Sequence, residues 1–342
     1  MLSRRMLKSM VRSFGRKANG AATVGSLALM LVLTTPALAQ NWPTRPMTMV
    51  VPFAAGSSSD TVGRILAPRL SELLGQQVII ENVGGAGGMT GANRVAKAAP
   101  DGYQFVLGTG GTHAANQTLY KNPLYNAETD FAPVALIVEQ PIVLVARKNL
   151  PADNLQELKA YAKANQAKMQ YGSPGVGSAP HLACELLNAA FGTNVTHIPY
   201  RGGPPAIQDL IAGRTDYVCA SGTIAIPQIE SQAVKAIAIL TKDRSPSLPA
   251  LASAHEQGLS NFHASTWYAI FLPSGAPAPI IQKLHGAAVA TMNTPAVQER
   301  LKAAGTDLVA PERRSPEYLA KFVVSEIDRW AAPIKASGVS LN

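Results

Sequence analysis

Apolar residues along this chain fall into two alternating patterns. Short, mostly apolar runs occupy 47–51, 77–81, 103–107 and 131–136, and then 142–146, 169–171, 197–200, 216–220, 236–240 and 267–272. Each is too short for a helix and reads as a buried strand. Between them apolar residues recur every three or four positions, as at Ile65, Leu66, Leu70, Leu73 and Leu74, and predict helices. Further helices are expected up to about Ala98, through Leu119 and Tyr120, over 154–164, 181–190 and 206–212, and in a tail through Ala288, Leu301 and Trp330. Strands alternating with helices imply an α/β fold of open sheets. The pattern restarts after Gln140-Pro141, which implies a second lobe from there, with 267–272 returning to the first.

Ligands in such sheets sit beyond the carboxyl ends of the strands, so the loops there carry the functional information. After the first strand, Pro52 stops the run, Gly56 frees the backbone to turn, and Ser57, Ser58 and Ser59 precede the helix. Ser57-x-x-Asp60 fits a capping box. A strand, a small-residue loop and a helix N-terminus make either an anion cradle or a plain turn. The helix dipole adds only about 0.3–1 kcal/mol when exposed and about 2 when partly buried, so such a loop orients a carboxylate but needs help to hold it. Asp60 would repel an anion unless its carboxylate turns back onto the helix. Gly108-Thr-Gly-Gly-Thr-His113 is a second polar loop, in which His113 either contacts a ligand or caps the helix. Gly172-Ser-Pro-Gly-Val-Gly-Ser178, with Pro180 suited to a first helical turn, is another cradle. The glycine run Gly85-x-Gly87-x-x-x-Gly91 departs from dinucleotide spacing and lacks a ribose-binding acid after the next strand, so it reads as a packing loop.

The N-terminus changes the picture of charge. Arg4, Arg5, Lys8, Arg12, Arg16 and Lys17 precede an apolar segment at 21–33 and the triplet Ala37-Leu38-Ala39. That is the pattern of a secretory signal peptide, with cleavage expected after Ala39. The apolar segment is shorter than the ~20 residues that span a bilayer. The chain of 342 residues carries +9, but removing those six cations leaves 24 basic against 21 acidic residues, or +3. Nothing gathers them into a stripe, so nucleic acid is not an expected partner. Export leads to an oxidising compartment, where Cys184 and Cys219 could pair. Two buried thiols are the favoured expectation, because sequence does not bring their Cα atoms within bonding reach. An exported α/β hydrolase is the natural enzyme alternative, but no G-x-S-x-G elbow follows the signal. The six histidines form no H-x-x-x-H pair, and no C-x-x-C or metal-loop spacing occurs. No cofactor and no metal are expected.

Read together, several motifs resemble one family. They are Trp42-Pro-x-Arg-Pro46, Val51-Pro-Phe-Ala-Ala-Gly56 with Asp60 and Arg64, and Glu81-Asn82 with Gly85-Ala-Gly-Gly88. Pro100-Asp-Gly-Tyr103, Tyr171-Gly-Ser-Pro-Gly175, His181-Leu182, Ile198-Pro-Tyr-Arg-Gly202, Trp267 and Leu272-Pro-x-Gly275 continue the series. The chain resembles the periplasmic solute-binding proteins of tripartite tricarboxylate transporters, the Bug type, over about residues 41–342. The resemblance implies a two-lobed periplasmic binding protein, type II-like, with a ligand cleft between lobes. Lobe 1 would take 40–141 and 266–342, and lobe 2 would take 142–265. It further implies a monomeric periplasmic receptor that binds a small organic carboxylate and delivers it to a cognate membrane permease. A receptor feeding a signalling system is the neighbouring alternative. Carried over by position, the implied ligand contacts are Phe53, Ser57, Ser58, Ser59 and Asp60, then Gly111, Thr112 and His113. From the other lobe come Ser173, Gly177, Ser178, His181, Tyr200 and Arg201, with Ala220 and Ser221. Relatives often carry glycines at the positions of Ser57 and Ser58, and an acid where this chain has Ala220. Its loss disfavours a ligand amine and favours a dicarboxylate or an aromatic carboxylate.

Overall fold

Met47–Val51 (β1) forms a strand because nothing on it calls for water, and it lies between Val78–Asn82 (β2) and Gln104–Thr109 (β3), parallel to both. In this computed structural model residues 42–260, 262–337 and 340–341 are described, and the expected signal peptide lies outside them. The sheet continues from β3 to Ser265–Pro273 (β9, numbered in chain order) and from there to Phe131–Arg147 (β4), both antiparallel. Beyond β4 come Tyr217–Ser221 (β7), Gln170–Ser173 (β5) and Thr196–Pro199 (β6). Val234–Ile239 (β8) and the short Asp307–Leu308 (β10) also pair with β4.

β4 holds the two lobes together. The sequence pattern suggested two strands divided at Gln140-Pro141, whereas the structure runs a single strand of 17 residues through that point. Pro141 has no N–H to give, and it falls where β4 changes neighbours: β9 flanks it up to Pro141, and β7 and β8 flank it from Ile142 and Val143. Two register shifts against β9, between Pro133 and Ala135 and between Leu136 and Val138, let so long a strand bend.

Helices cover both faces. Ser58–Leu74 (α1) starts at its Ser57 cap and ends at Gly75, whose φ of +71° closes the last turn. Met89–Ala96 (α2), Leu155–Asn165 (α3) and Ala179–Phe191 (α4) follow, α4 with the expected Pro180 in its first turn. Gly203–Ile211 (α5) and Gly222–Glu230 (α6) pack on the second lobe. Ala278–Met292 (α7), Pro295–Ala303 (α8) and Pro316–Ser337 (α9) form the expected helical tail. One core gathers Val50, Val106, Phe271, Trp267 and Trp330, and another gathers Leu144, Tyr171, Leu187, Tyr217 and Ile237. Fully burying each such side chain contributes roughly 1.5–3 kcal/mol.

Cys184 on α4 and Cys219 on β7 are joined by a disulfide, which corrects the expectation of two free thiols. The helix lies against the strand and brings the Cα atoms to 5.7 Å, inside the bonding range that sequence alone did not reveal.

Candidate functional site

The lobes meet around a small cavity. From the first lobe, Phe53, Ser57, Ser58 and Ser59 line it, with Thr109 from β3 and Thr266 and Tyr268 from β9. From the second, Pro174, Ser178 and Ala179 close the far side, while Ala220 and Ser221 at the end of β7 form the floor with Ile224. The starts of α1, α4, α5 and α6 all border this space, through Ser58, Ala179, Gly203 and Ser221 respectively. First-turn amides have no acceptor within their own helix, so four positive helix ends border one volume. Among the described residues lining it there is no charged side chain. The polar lining is hydroxyl groups and backbone, and the rest is apolar.

Each cradle is built locally. Ser57 Oγ accepts from the Asp60 amide at 3.3 Å, as a capping serine does. The Asp60 carboxylate accepts from the Gly56 amide at 2.8 Å, from Arg64 at 2.9 Å and from Asn82 at 3.0 Å. Burial alone would raise its pKa, but those three partners and the Arg64 charge hold it below the usual value. Asp60 therefore turns back onto the turn it fixes and leaves the cavity free of its charge. On the opposite lobe, Ser178 Oγ donates to the Gly175 carbonyl at 2.7 Å and accepts from the His181 amide at 3.3 Å. Gly177 donates its N–H to His181 Nδ1 at 3.3 Å, which requires a neutral ring at that nitrogen. Burial and the neighbouring His197 push His181 down to about 3. His197 is pushed down to about 4 by burial and shares a 2.7 Å hydrogen bond with Ser173 Oγ.

The remaining sequence candidates fall into three places. Gly111 packs against the second lobe, with the Gly177 carbonyl and the Ala179 amide just over 3 Å from where its Cβ would be. Thr112 and His113 belong to the core beneath: Thr112 bonds Thr109 and His113, and the His113 ring stacks on Phe271 at 4.0 Å. Ser173, Gly177 and His181 support the second cradle from behind and do not themselves line the cavity. Tyr200 and Arg201 border a separate outer groove, lined also by the glycine run 84–88, which shares Phe53 and Pro174 with the inner cavity. Tyr200 spends its hydroxyl on Asp209 at 2.7 Å.

Sequence reasoning missed Thr109, Thr266, Tyr268 and the whole of α6. The two β9 residues alternate along a strand that the pattern did identify, so their shared face was readable once the strand was placed. α6 carries Pro227 in its middle and has no side-chain hydrogen bond at its cap, which removes the usual helix signals.

The lobes are closed on one another. A Cβ added at Gly87 would lie 2.9 Å from the Gly177 backbone and closer still to the Val176 carbonyl oxygen. Thr223 Oγ1 on α6 donates across the cleft to Ser58 Oγ at 2.7 Å.

Comparisons with known proteins agree with this architecture. Residues 62–339 match the model of the tripartite tricarboxylate transporter family receptor. A protein encoded in the TAR-I ttuE-ttuC' intergenic region of Agrobacterium vitis is 40% identical over 316 residues, covering 91% of each chain. BugT of Bordetella pertussis is 33% identical over 322 residues, 94% of this chain and 98% of its own. Among solved structures, the periplasmic binding protein BugD superposes with a TM-score of 0.84 at 39% identity, covering 87% of this chain and 99% of that one. MatC from Rhodopseudomonas palustris, solved with malate bound, gives 0.83 at 38% identity, covering 86% of this chain and 100% of that one. A second R. palustris protein, solved with adipate, gives 0.83 at 33% identity, with 87% and 99% covered. With its fold, its paired cradles and these relatives together, this chain belongs to the receptors of the tripartite tricarboxylate transporter family, periplasmic solute-binding proteins and not enzymes.

Proposed function

We propose that this receptor closes on a small carboxylate without an amine, an aliphatic dicarboxylate or an aromatic acid, and delivers it to a cognate membrane permease. The lobes divide in this reading at 141/142 and 265/266, and the chain works as a monomer. One observation carries the choice: the cavity is lined by hydroxyls and helix N-termini with no charged side chain among its described residues. An anion is held there by oriented amides and hydroxyls, with ordered water filling gaps. An ammonium group would border four positive helix ends with no carboxylate to meet it, and the floor there is Ala220.

The magnitudes suffice. Micromolar affinity corresponds to about −8 kcal/mol. Several charge-assisted hydrogen bonds at about 1.5–3 kcal/mol each reach that after ordering costs are subtracted. The apolar lining at Pro174, Ala179 and Ile224 suits a hydrocarbon backbone between or beside carboxylates. The relatives solved with malate and adipate bound support a dicarboxylate. Thermal-shift measurements with malate, succinate, adipate and benzoate, beside aspartate and glutamate, test this reading. The dicarboxylates or benzoate should raise the unfolding midpoint more than the amino acids do. A larger shift from either amino acid would defeat the proposal.

A further inference from the structure

A chain of buried hydrogen bonds leads from the hinge strand to the cavity, and its direction can be read. Gln140 lies on β4 at the changeover between lobes and is fully buried. Its Nε2 lies 3.1 Å from the Gly305 carbonyl, which can only accept, so the amide orientation is forced: Nε2 is the donor. Its Oε1 accepts from the Tyr268 hydroxyl at 3.1 Å. The second proton of Nε2 goes to Thr223 Oγ1 at 2.6 Å, which leaves the Thr223 proton free to go onward. It does so to Ser58 Oγ at 2.7 Å. Ser58 Oγ accepts from Thr223, and its own proton is left to choose a partner. It can serve the Tyr268 oxygen beside it or an oxygen in the cavity that both residues line. Chains of this kind polarise each member, which strengthens the terminal donor.

We propose that Ser58 is a direct donor to an oxygen of the bound acid, and that Thr223 and Gln140 are positioning residues that orient it only when the lobes are closed. Ser58 starts α1 on one lobe and Thr223 sits in the first turn of α6 on the other, so opening the cleft breaks the chain at that link. Closure thus creates the donor the ligand needs, and the same link holds the empty lobes together.

The ligand half of this inference rests on the carboxylate reading above, and the test separates the two. Malate, succinate and adipate are titrated calorimetrically into the full-length exported protein after ligand stripping, with Ser58→Ala, Thr223→Val, Thr223→Ser and the Ser58→Ala/Thr223→Val double variant. Ser58→Ala and Thr223→Val should each weaken the tightest of the three acids by about ten-fold or more. The double variant should match Ser58→Ala within about two-fold, because both changes disable one donor. Thr223→Ser, which restores the hydroxyl, should recover wild-type affinity. Losses that multiply in the double variant, or Thr223→Val binding like wild type, would overturn the relay. Small-angle X-ray scattering of the ligand-free proteins supplies the second readout, with Thr223→Val expected to shift toward a larger radius of gyration. Should the wild type bind none of the three acids, the carboxylate reading falls, and an unchanged radius in Thr223→Val and Ser58→Ala would then overturn the relay as well.

Discussion

Replacing Gly87 with alanine should prop the cleft open without dismantling either lobe. Gly87 adopts φ of +59°, so any L side chain there costs about 1–2 kcal/mol in the first lobe, whether the cleft is open or closed. That cost belongs to folding. The second cost arises only on closure, because the new methyl would meet the Val176 carbonyl and the Gly177 backbone, 2.9 Å away at its Cα, on the opposite lobe. Backbone atoms cannot swing aside as a side-chain end can, so the loops must part by a substantial fraction of an ångström. Overpacking of this kind costs typically 1–3 kcal/mol, and a penalty confined to the closed state weakens the ligand about 5–150-fold. Two measurements separate the costs. Urea unfolding of the ligand-free variant reads the conformational strain, and calorimetric titration with the acid that the wild type binds tightest in the panel reads the closure penalty. Scattering of the liganded variant should also give a larger radius of gyration than the liganded wild type. A folded variant with undiminished affinity and an unchanged radius would refute the view that these loops meet as the cleft closes.

Three further outcomes are expected. Replacing Cys184 and Cys219 by alanine releases a loop with a sequence separation of 35, worth about 4 kcal/mol in the chain-entropy account, and a loss below about 1 kcal/mol in urea unfolding would contradict it. Acidification should destabilise the fold from the second cradle: His181 and His197 are held at about 3 and about 4 by burial, so their stabilisation is complete above the unfolded value near 6.5 and is lost as pH falls from there. Thermal midpoints between pH 7 and 4.5 should therefore drop less in His197→Gln than in wild type, and an identical drop would rule the pair out as a source. Ala220→Asp places a carboxylate on the cavity floor and should abolish dicarboxylate binding in a thermal-shift panel while admitting an amine-bearing acid; retained dicarboxylate binding would show that the floor is remote from the ligand.

Local chemistry carried a good share of this site. The serine loop at 57–59 and the cradle at 173–178 are visible as small residues between a strand and a helix, and Ser57 caps as its spacing to Asp60 demands, while the matching cap at Ser178 emerged only from the structure. Asp60 illustrates the limit. Its spacing to Ser57 announced a cap, but the Gly56 amide, Arg64 and Asn82 that absorb its charge come from three directions. His113 shows the opposite case, a polar residue in a polar-looking loop that folding places against Phe271. Nothing in Gly108-Thr-Gly-Gly-Thr-His113 reveals that its last residue faces inward, because the turn at Gly111–Ala115 is a π-type winding without a period-3.6 signature.

The alternation of apolar runs determined an α/β chain, its strand positions and the loops that could hold an anion, because burial and turn formation depend on neighbours a few residues apart. Tertiary structure alone decided which loops face each other, that Cys184 reaches Cys219, that α6 supplies Thr223 to the cleft, and that β4 continues through Pro141. Those outcomes depend on contacts between residues such as Ser58 and Thr223, 165 positions apart, whose meeting no local pattern encodes.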